Sequence, residues 1–135
     1  MRGLLTAANL TDRFTLDSAG TGGWHVGEPP DPRTCAAASR AGYDLDDLRA
    51  RQFRAVDFAR FDLIIAMDRS NLATLERLRG SSTTPPIHLV RSFDPTAPKN
   101  AEVPDPYGGN TRDFDEVVEI CERACRGLLQ HLLNS

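Results

Sequence analysis

The strongest periodic signal in the chain lies near its C-terminus. Phe114, Val117, Val118, Cys121, Cys125, Leu128 and Leu132 keep to i, i+3, i+4, i+7 spacing, which predicts a long amphipathic helix with one apolar stripe. Leu72, Leu75 and Leu78 repeat the pattern within DRSNLATLERLRG, a second helix that Gly80 stops. DPRTCAAASRAG predicts another, with Pro32 in its first turn and Gly42 at its end. MRGLLTAANL reads as the end of a helix with no cap before it. Strand signals fall between the helices. FDLIIAM is a continuous apolar run of strand length, as in a strand covered on both faces, and IHLV is a shorter one. Alternation at Phe14 and Leu16 in RFTLDSAGT predicts a third strand, followed by a turn of small residues. GSSTTPP is a surface loop. Strands alternating with helices predict an α/β domain with a parallel, helix-flanked sheet.

Length and charge narrow the picture. The 135 residues favour one domain over 1–135. Sixteen Lys and Arg stand against 19 Asp and Glu, and a net charge of −3 lacks the basic footprint of a nucleic-acid binder. No apolar run approaches the ~18 residues of a membrane span, and the first residues are too polar and short for a secretory leader. Three cysteines at unrelated spacings imply reduced thiols, as in a cytoplasm. Cys121 and Cys125 lie on the apolar stripe one turn apart, which suits small core residues and not a disulfide. Cys35 sits on an alanine-rich helix with no activating base nearby in sequence. His25, His88 and His131 are scattered and make no metal set.

Two stretches carry candidate chemistry. In VPDPYGGN, Asp105 stands between Pro104 and Pro106 with Tyr107 beside it. Proline fixes φ on both sides, so the loop around this carboxylate is stiff before folding begins. Asp and Pro are also ordinary turn residues, and the same string is compatible with a plain turn. In DSAGTGGWHVGEPPDPR, small residues allow close backbone approach to a ligand, and Trp24 offers a flat wall to an aromatic group. The alternative there is a surface loop whose Trp covers the edge of the core.

Together these pieces resemble the low-molecular-weight protein tyrosine phosphatases along almost the whole chain. The matching strings occur in the family's order: DSAGT at 17–21, WHVGEPPDPR at 24–33, ARQ at 50–52, AMDRSN at 66–71, DP at 94–95, DPYGG at 105–109 and CERACRGLL at 121–129. The resemblance implies a three-layer, flavodoxin-like parallel sheet flanked by helices. It implies hydrolysis of phosphotyrosine, in a protein or a small aryl phosphate, without metal or cofactor. It makes Asp105 the general acid, Trp24 and Tyr107 the walls of the substrate slot, and Ser18 a support for the phosphate loop.

The resemblance begins inside the family's first helix. The nucleophile of the family is the cysteine of a Cys-x5-Arg-Ser/Thr loop ahead of that helix. Six residues after Cys35, Cys121 and Cys125 stand Ala41, Gly127 and His131, so none carries the motif. Leu48 stands where the family has a supporting histidine, and Tyr107-Gly108 where many members have two tyrosines. The expectation is therefore a scaffold without its first strand and nucleophile, inactive as it stands. Three readings follow: a coding frame that begins upstream of Met1, a non-catalytic relative that binds partners, or an arsenate reductase of the same fold. The family's first strand lies between the strands expected at Phe14–Leu16 and Leu63–Ala66. Its loss removes roughly 7–15 kcal/mol of apolar burial. The flanking strands are thus expected to close up, to associate with another chain through their unpaired edges, or to leave a marginal protein.

Overall fold

The computed structural model describes all 135 residues, Met1–Ser135. Its helices are α1 (Arg2–Ala7), α2 (Pro32–Arg40), α3 (Arg69–Arg79) and α4 (Thr111–Leu133), and its strands are β1 (Ile64–Ala66) and β2 (Ile87–Leu89). Short 3₁₀ turns occur at Thr11–Arg13, Ala55–Ala59 and Val90–Phe93. The strands run parallel, with Ile64 opposite Ile87 and Ala66 opposite Leu89, and α3 connects them. The α/β class read from the sequence is the class observed.

The helices begin where their caps dictate. Asn110 and Asp113 cap α4 reciprocally: Asn110 Oδ1 accepts from the Asp113 N–H at 3.1 Å and Asp113 Oδ2 from the Asn110 N–H at 3.0 Å. Asp68 caps α3 by accepting from the Asn71 N–H at 2.7 Å. Gly80 closes α3 with φ +71°, a conformation in which a Cβ is strained.

Two apolar centres result. Ile64, Ala66, Leu75 and Leu89 bury one another, with Phe53, Phe58, Phe61 and Leu72 packed around them. On the other side α2 lies against α4, with Ala37 and Ala38 buried, and α4 also packs on the turn Val90–Phe93. Arg40 to Asp115 at 2.6 Å and the Tyr43 hydroxyl to Glu122 at 2.5 Å tie α2 and the residues after it to α4.

The structure corrects several expectations. Phe14–Leu16 forms no strand, and Leu16 is 44% exposed. An isolated segment cannot satisfy its own N–H and C=O groups as a strand, and β1 does not pair with it. The segment is fastened further along instead, by a single parallel bridge between Gly20 and Gln52. The flanking strands have therefore not closed up, and β1 keeps one free edge. Ile65 is only half-buried, so β1 is not covered equally on both faces. Leu78 faces solvent. On α4 the buried ridge runs through Phe114, Ile120, Ala124 and Leu128, and Cys121 and Cys125 sit half-buried at its flank. Phe114 and Leu128 belong to both the predicted stripe and the buried ridge, and only between them does the ridge fall one residue earlier, at Ile120 and Ala124.

Few side chains are covered in total. Sixteen of 135 residues are buried, and the accessible surface is 8956 Å². A compact monomer of 14.8 kDa exposes about 7,000 Å².

Candidate active site

The loop that carries Asp105 is pinned at its root. The Val103 N–H donates to the Met67 carbonyl at 2.9 Å, where β1 ends. Arg91 Nη1 donates to the Glu102 carbonyl at 2.9 Å, and the Arg69 N–H to Glu102 Oε1 at 2.9 Å. The side-chain bond from Arg69, followed by its backbone N–H, holds the Glu102 carboxyl below the usual carboxylate range. At the far end, the Gly109 N–H returns to the Pro106 carbonyl at 2.8 Å before α4 begins. Gly108 takes φ +81° in that turn, which explains a glycine there. Between these anchors Asp105 is exposed, and its Oδ1 accepts from the Tyr107 N–H at 2.9 Å.

A cavity of about 430 Å³ opens beside this loop. Asp105, Pro106 and Tyr107 line it together with His25, Asp31, Thr34 and Phe114. Asp31 caps α2 through the Arg33 N–H at 2.8 Å and also accepts from the Arg33 guanidinium, Nη2 to Oδ2 at 3.1 Å. These bonds from Arg33, its side chain first, hold the Asp31 carboxyl below its ordinary range. His25 Nδ1 lies 2.8 Å from Glu28 Oε2.

Of the residues singled out in the sequence, Asp105 and Tyr107 meet at this cavity. Trp24 does not line it: the indole is 85% exposed and folds back over Gly22, where a Cβ would stand 2.0 Å from the ring. Ser18 lies in the exposed segment before Gly20, its N–H donating to Asp17 Oδ1 at 2.8 Å. Asp17 is in turn held by Arg51 Nε at 3.1 Å. Arg51 also reaches Asp57, a carboxylate 1% exposed that takes the Arg54 N–H at 2.8 Å as well. The Arg51 side-chain bond is the first cause, and the Arg54 N–H the second, of an Asp57 carboxyl held below its usual range.

The sequence reading gave Arg33, His25 and the Arg51–Asp57 pair no role in the site. Arg33 had a signal, an Asp two residues ahead of it at a helix start. Asp57 had none, because a buried carboxylate and an exposed one look alike in a polar stretch.

The arrangement offers a carboxyl on a stiff loop, beside a ring, at the mouth of a cavity. That suits proton transfer to a departing group. The thiols suit nucleophilic attack poorly. Burial, then the neighbouring Cys125, pushes the Cys121 thiol up, and Cys35 Sγ lies 4.0 Å from the Pro30 carbonyl. No three His, Cys, Asp or Glu side chains converge as a metal set would, and no helix is long and apolar enough to cross a membrane.

The family model for low molecular weight phosphotyrosine protein phosphatase matches residues 1–135. The low molecular weight protein-tyrosine-phosphatase of Streptomyces coelicolor is 45% identical over 124 residues, 90% of this chain and 75% of its own. The human low molecular weight phosphotyrosine protein phosphatase is 40% identical over 96% of this chain and 81% of its own. A crystal structure of protein tyrosine phosphatase from Entamoeba histolytica superposes with a TM-score of 0.91 at 32% identity, covering 98% of this chain and 84% of that one.

Proposed function

Since the chain belongs to the low molecular weight phosphotyrosine protein phosphatase family, we propose that its 135 residues form the acid-bearing scaffold of a phosphotyrosine phosphatase. Asp105 is the general acid. When a nucleophile attacks phosphorus and the P–O bond to the ring breaks, the electron pair leaves on the tyrosyl oxygen, and the Asp105 carboxyl delivers a proton to it. A phenol of pKa ~10 leaves poorly as phenolate at neutral pH, so a placed proton speeds the step by roughly 10²–10⁴. Tyr107 is one wall for the ring. Trp24 is the other, once its exposed indole swings off Gly22. Ser18 supports a phosphate loop.

The substrate is a phosphotyrosine side chain or a small aryl phosphate. Nucleophile and phosphate-binding arginine are not among these residues, because no Cys-x5-Arg string occurs in them. The chain by itself is therefore inactive, and the free edge of β1 is its route to self-association. The observation that carries the reading is the placement of Asp105 with Tyr107 at one cavity, on a loop anchored at its root and closed by a turn before α4. An arsenate reductase needs accessible redox thiols, and the half-buried Cys121 and Cys125 fit that role badly.

Hydrolysis of an aryl phosphate by purified 1–135, beside Asp105→Ala, tests the reading. Neither protein is expected to turn over. Robust turnover that disappears in the Asp105→Ala protein overturns the claim that the nucleophile lies elsewhere.

A further inference from the structure

We propose that Arg33 is the positioning residue of the acid loop, acting on Asp105 through Tyr107; this deepens, and rests on, the assignment of Asp105 as proton donor. Three observations lead there. The guanidinium is gripped by Asp31, with Nε 3.3 Å from Oδ1 and Nη2 3.1 Å from Oδ2, while the Arg33 N–H holds Oδ1 at 2.8 Å. A fork bound at two atoms is fixed in its plane as well as its position. The cation lies over rings from two other elements: Cζ stands 4.6 Å from the centroid of Phe114 on α4 and 5.7 Å from that of Tyr107 in the acid loop. Both lie within the ~6 Å over which a cation is drawn to a ring face. Finally, the Tyr107 N–H donates to Asp105 Oδ1 at 2.9 Å.

These contacts form one mechanical chain. Phe114 is buried, and α2 packs on α4 with Ala37 and Ala38 buried, so Arg33 works from a fixed frame. Tyr107 is 81% exposed, and a ring so bare has few other contacts to hold it. Holding the ring in place restrains the backbone of Tyr107, whose N–H meets one oxygen of Asp105. A surface ion pair between Asp31 and Arg33 alone would add little to stability and would need no ring on either side.

The test uses the full 135-residue chain and the amide signal of Tyr107. That amide donates to the Asp105 carboxylate, so Asp105→Ala marks the exchange rate reached when the bond is lost. In Arg33→Met, which keeps a stem without the cation, the Tyr107 amide is expected to exchange about threefold to tenfold faster. Amides of Ala37 and Ala38 in α2 should stay within twofold. Arg33→Lys keeps charge but not the fork and should fall between; it decides the matter alone if Arg33→Met does not fold. A folded variant with unchanged Tyr107 behaviour overturns the proposal. So does a loosening shared equally by α2, which marks a merely structural role. Failure of the phosphatase reading would show as absence of turnover in a protein given a strand and a Cys-x5-Arg-Ser loop ahead of Met1, and would leave these amide signals as described.

Discussion

Gly127 of α4 meets the carbonyl of Phe93 so closely that a Cβ on it would stand 1.8 Å from the oxygen. The contact seats the turn Val90–Phe93 on α4 and sets the path of Asp94, which is buried just beyond. Asp94 Oδ1 takes the Thr96 N–H at 2.9 Å and hydroxyl at 2.7 Å, and Arg123 of α4 lies 3.5 Å from its other oxygen. The chain leaving β2 is thus held to the helix before it reaches the acid loop.

Gly127→Ala is expected to destabilise the chain by about 2 kcal/mol. The clash is with backbone, which cannot swing aside, and overpacking of this kind costs about 1–3 kcal/mol. It outweighs the roughly 1 kcal/mol that alanine gains over glycine inside a helix. Urea unfolding of both proteins checks it, and an equal or higher midpoint for the variant would refute the close approach.

Asp57→Asn is expected to cost about 3 kcal/mol, because it leaves the Arg51 guanidinium without its buried counter-charge. The sign with pH follows from the direction of the shifts. Asp57 and Asp94 are both held below the ordinary range, Asp94 chiefly by the Thr96 hydroxyl. Their contribution is complete above the unfolded value of about 3.9, and it is lost as pH falls through the lower native values. Thermal midpoints measured from pH 7 down to 2.5 should drop most steeply below about 4. The drop should be smaller in Asp57→Asn, and equal slopes for the two proteins would count against the pair.

The free edge of β1 has a measurable outcome. Sedimentation of 1–135 is expected to show species larger than 14.8 kDa that grow with concentration. Where the protein stays dilute, it should unfold below the roughly 45–65 °C of ordinary mesophile domains. A strictly monomeric protein with a sharp transition in that range would show that the free edge of β1 costs the fold little.

Joining a strand and a Cys-x5-Arg-Ser loop ahead of Met1 is expected to confer turnover of aryl phosphates. In that protein Asp105→Asn should lower kcat by roughly 10²–10⁴ and leave KM within a few-fold, since proton donation matters in the transition state. Equal losses in binding and turnover would assign Asp105 to holding substrate. If the joined protein is inactive, Leu48→His is the first change to make.

Much of this was legible because it rests on local rules. Asp31 before Pro32, Asp68 before α3 and Gly80 after it mark helix ends that any context would honour. The apolar runs at 63–67 and 87–90 became strands because each finds the other. Phe14–Leu16 has an equally fair pattern but no partner, and a strand is a property of a pair. The site divides likewise. Two prolines announce Asp105, whereas Arg33 matters through Phe114, 81 positions away by numbering, and no spacing rule joins them. The indole of Trp24 turned back over Gly22, because nothing in the sequence fixes the rotamer of a ring on a glycine-rich loop.

The excess of wet surface changes how this molecule responds to heat. An extended chain of 14.8 kDa exposes roughly 21,500 Å², so unfolding from 8956 Å² uncovers about 12,500 Å². A compact protein of the same mass would uncover about 14,500 Å². Both the heat-capacity increment and the slope against denaturant scale with that difference. The stability curve of this chain is therefore shallower than its length implies. Its enthalpy of unfolding changes about 14% less per degree than that of a compact protein of the same mass.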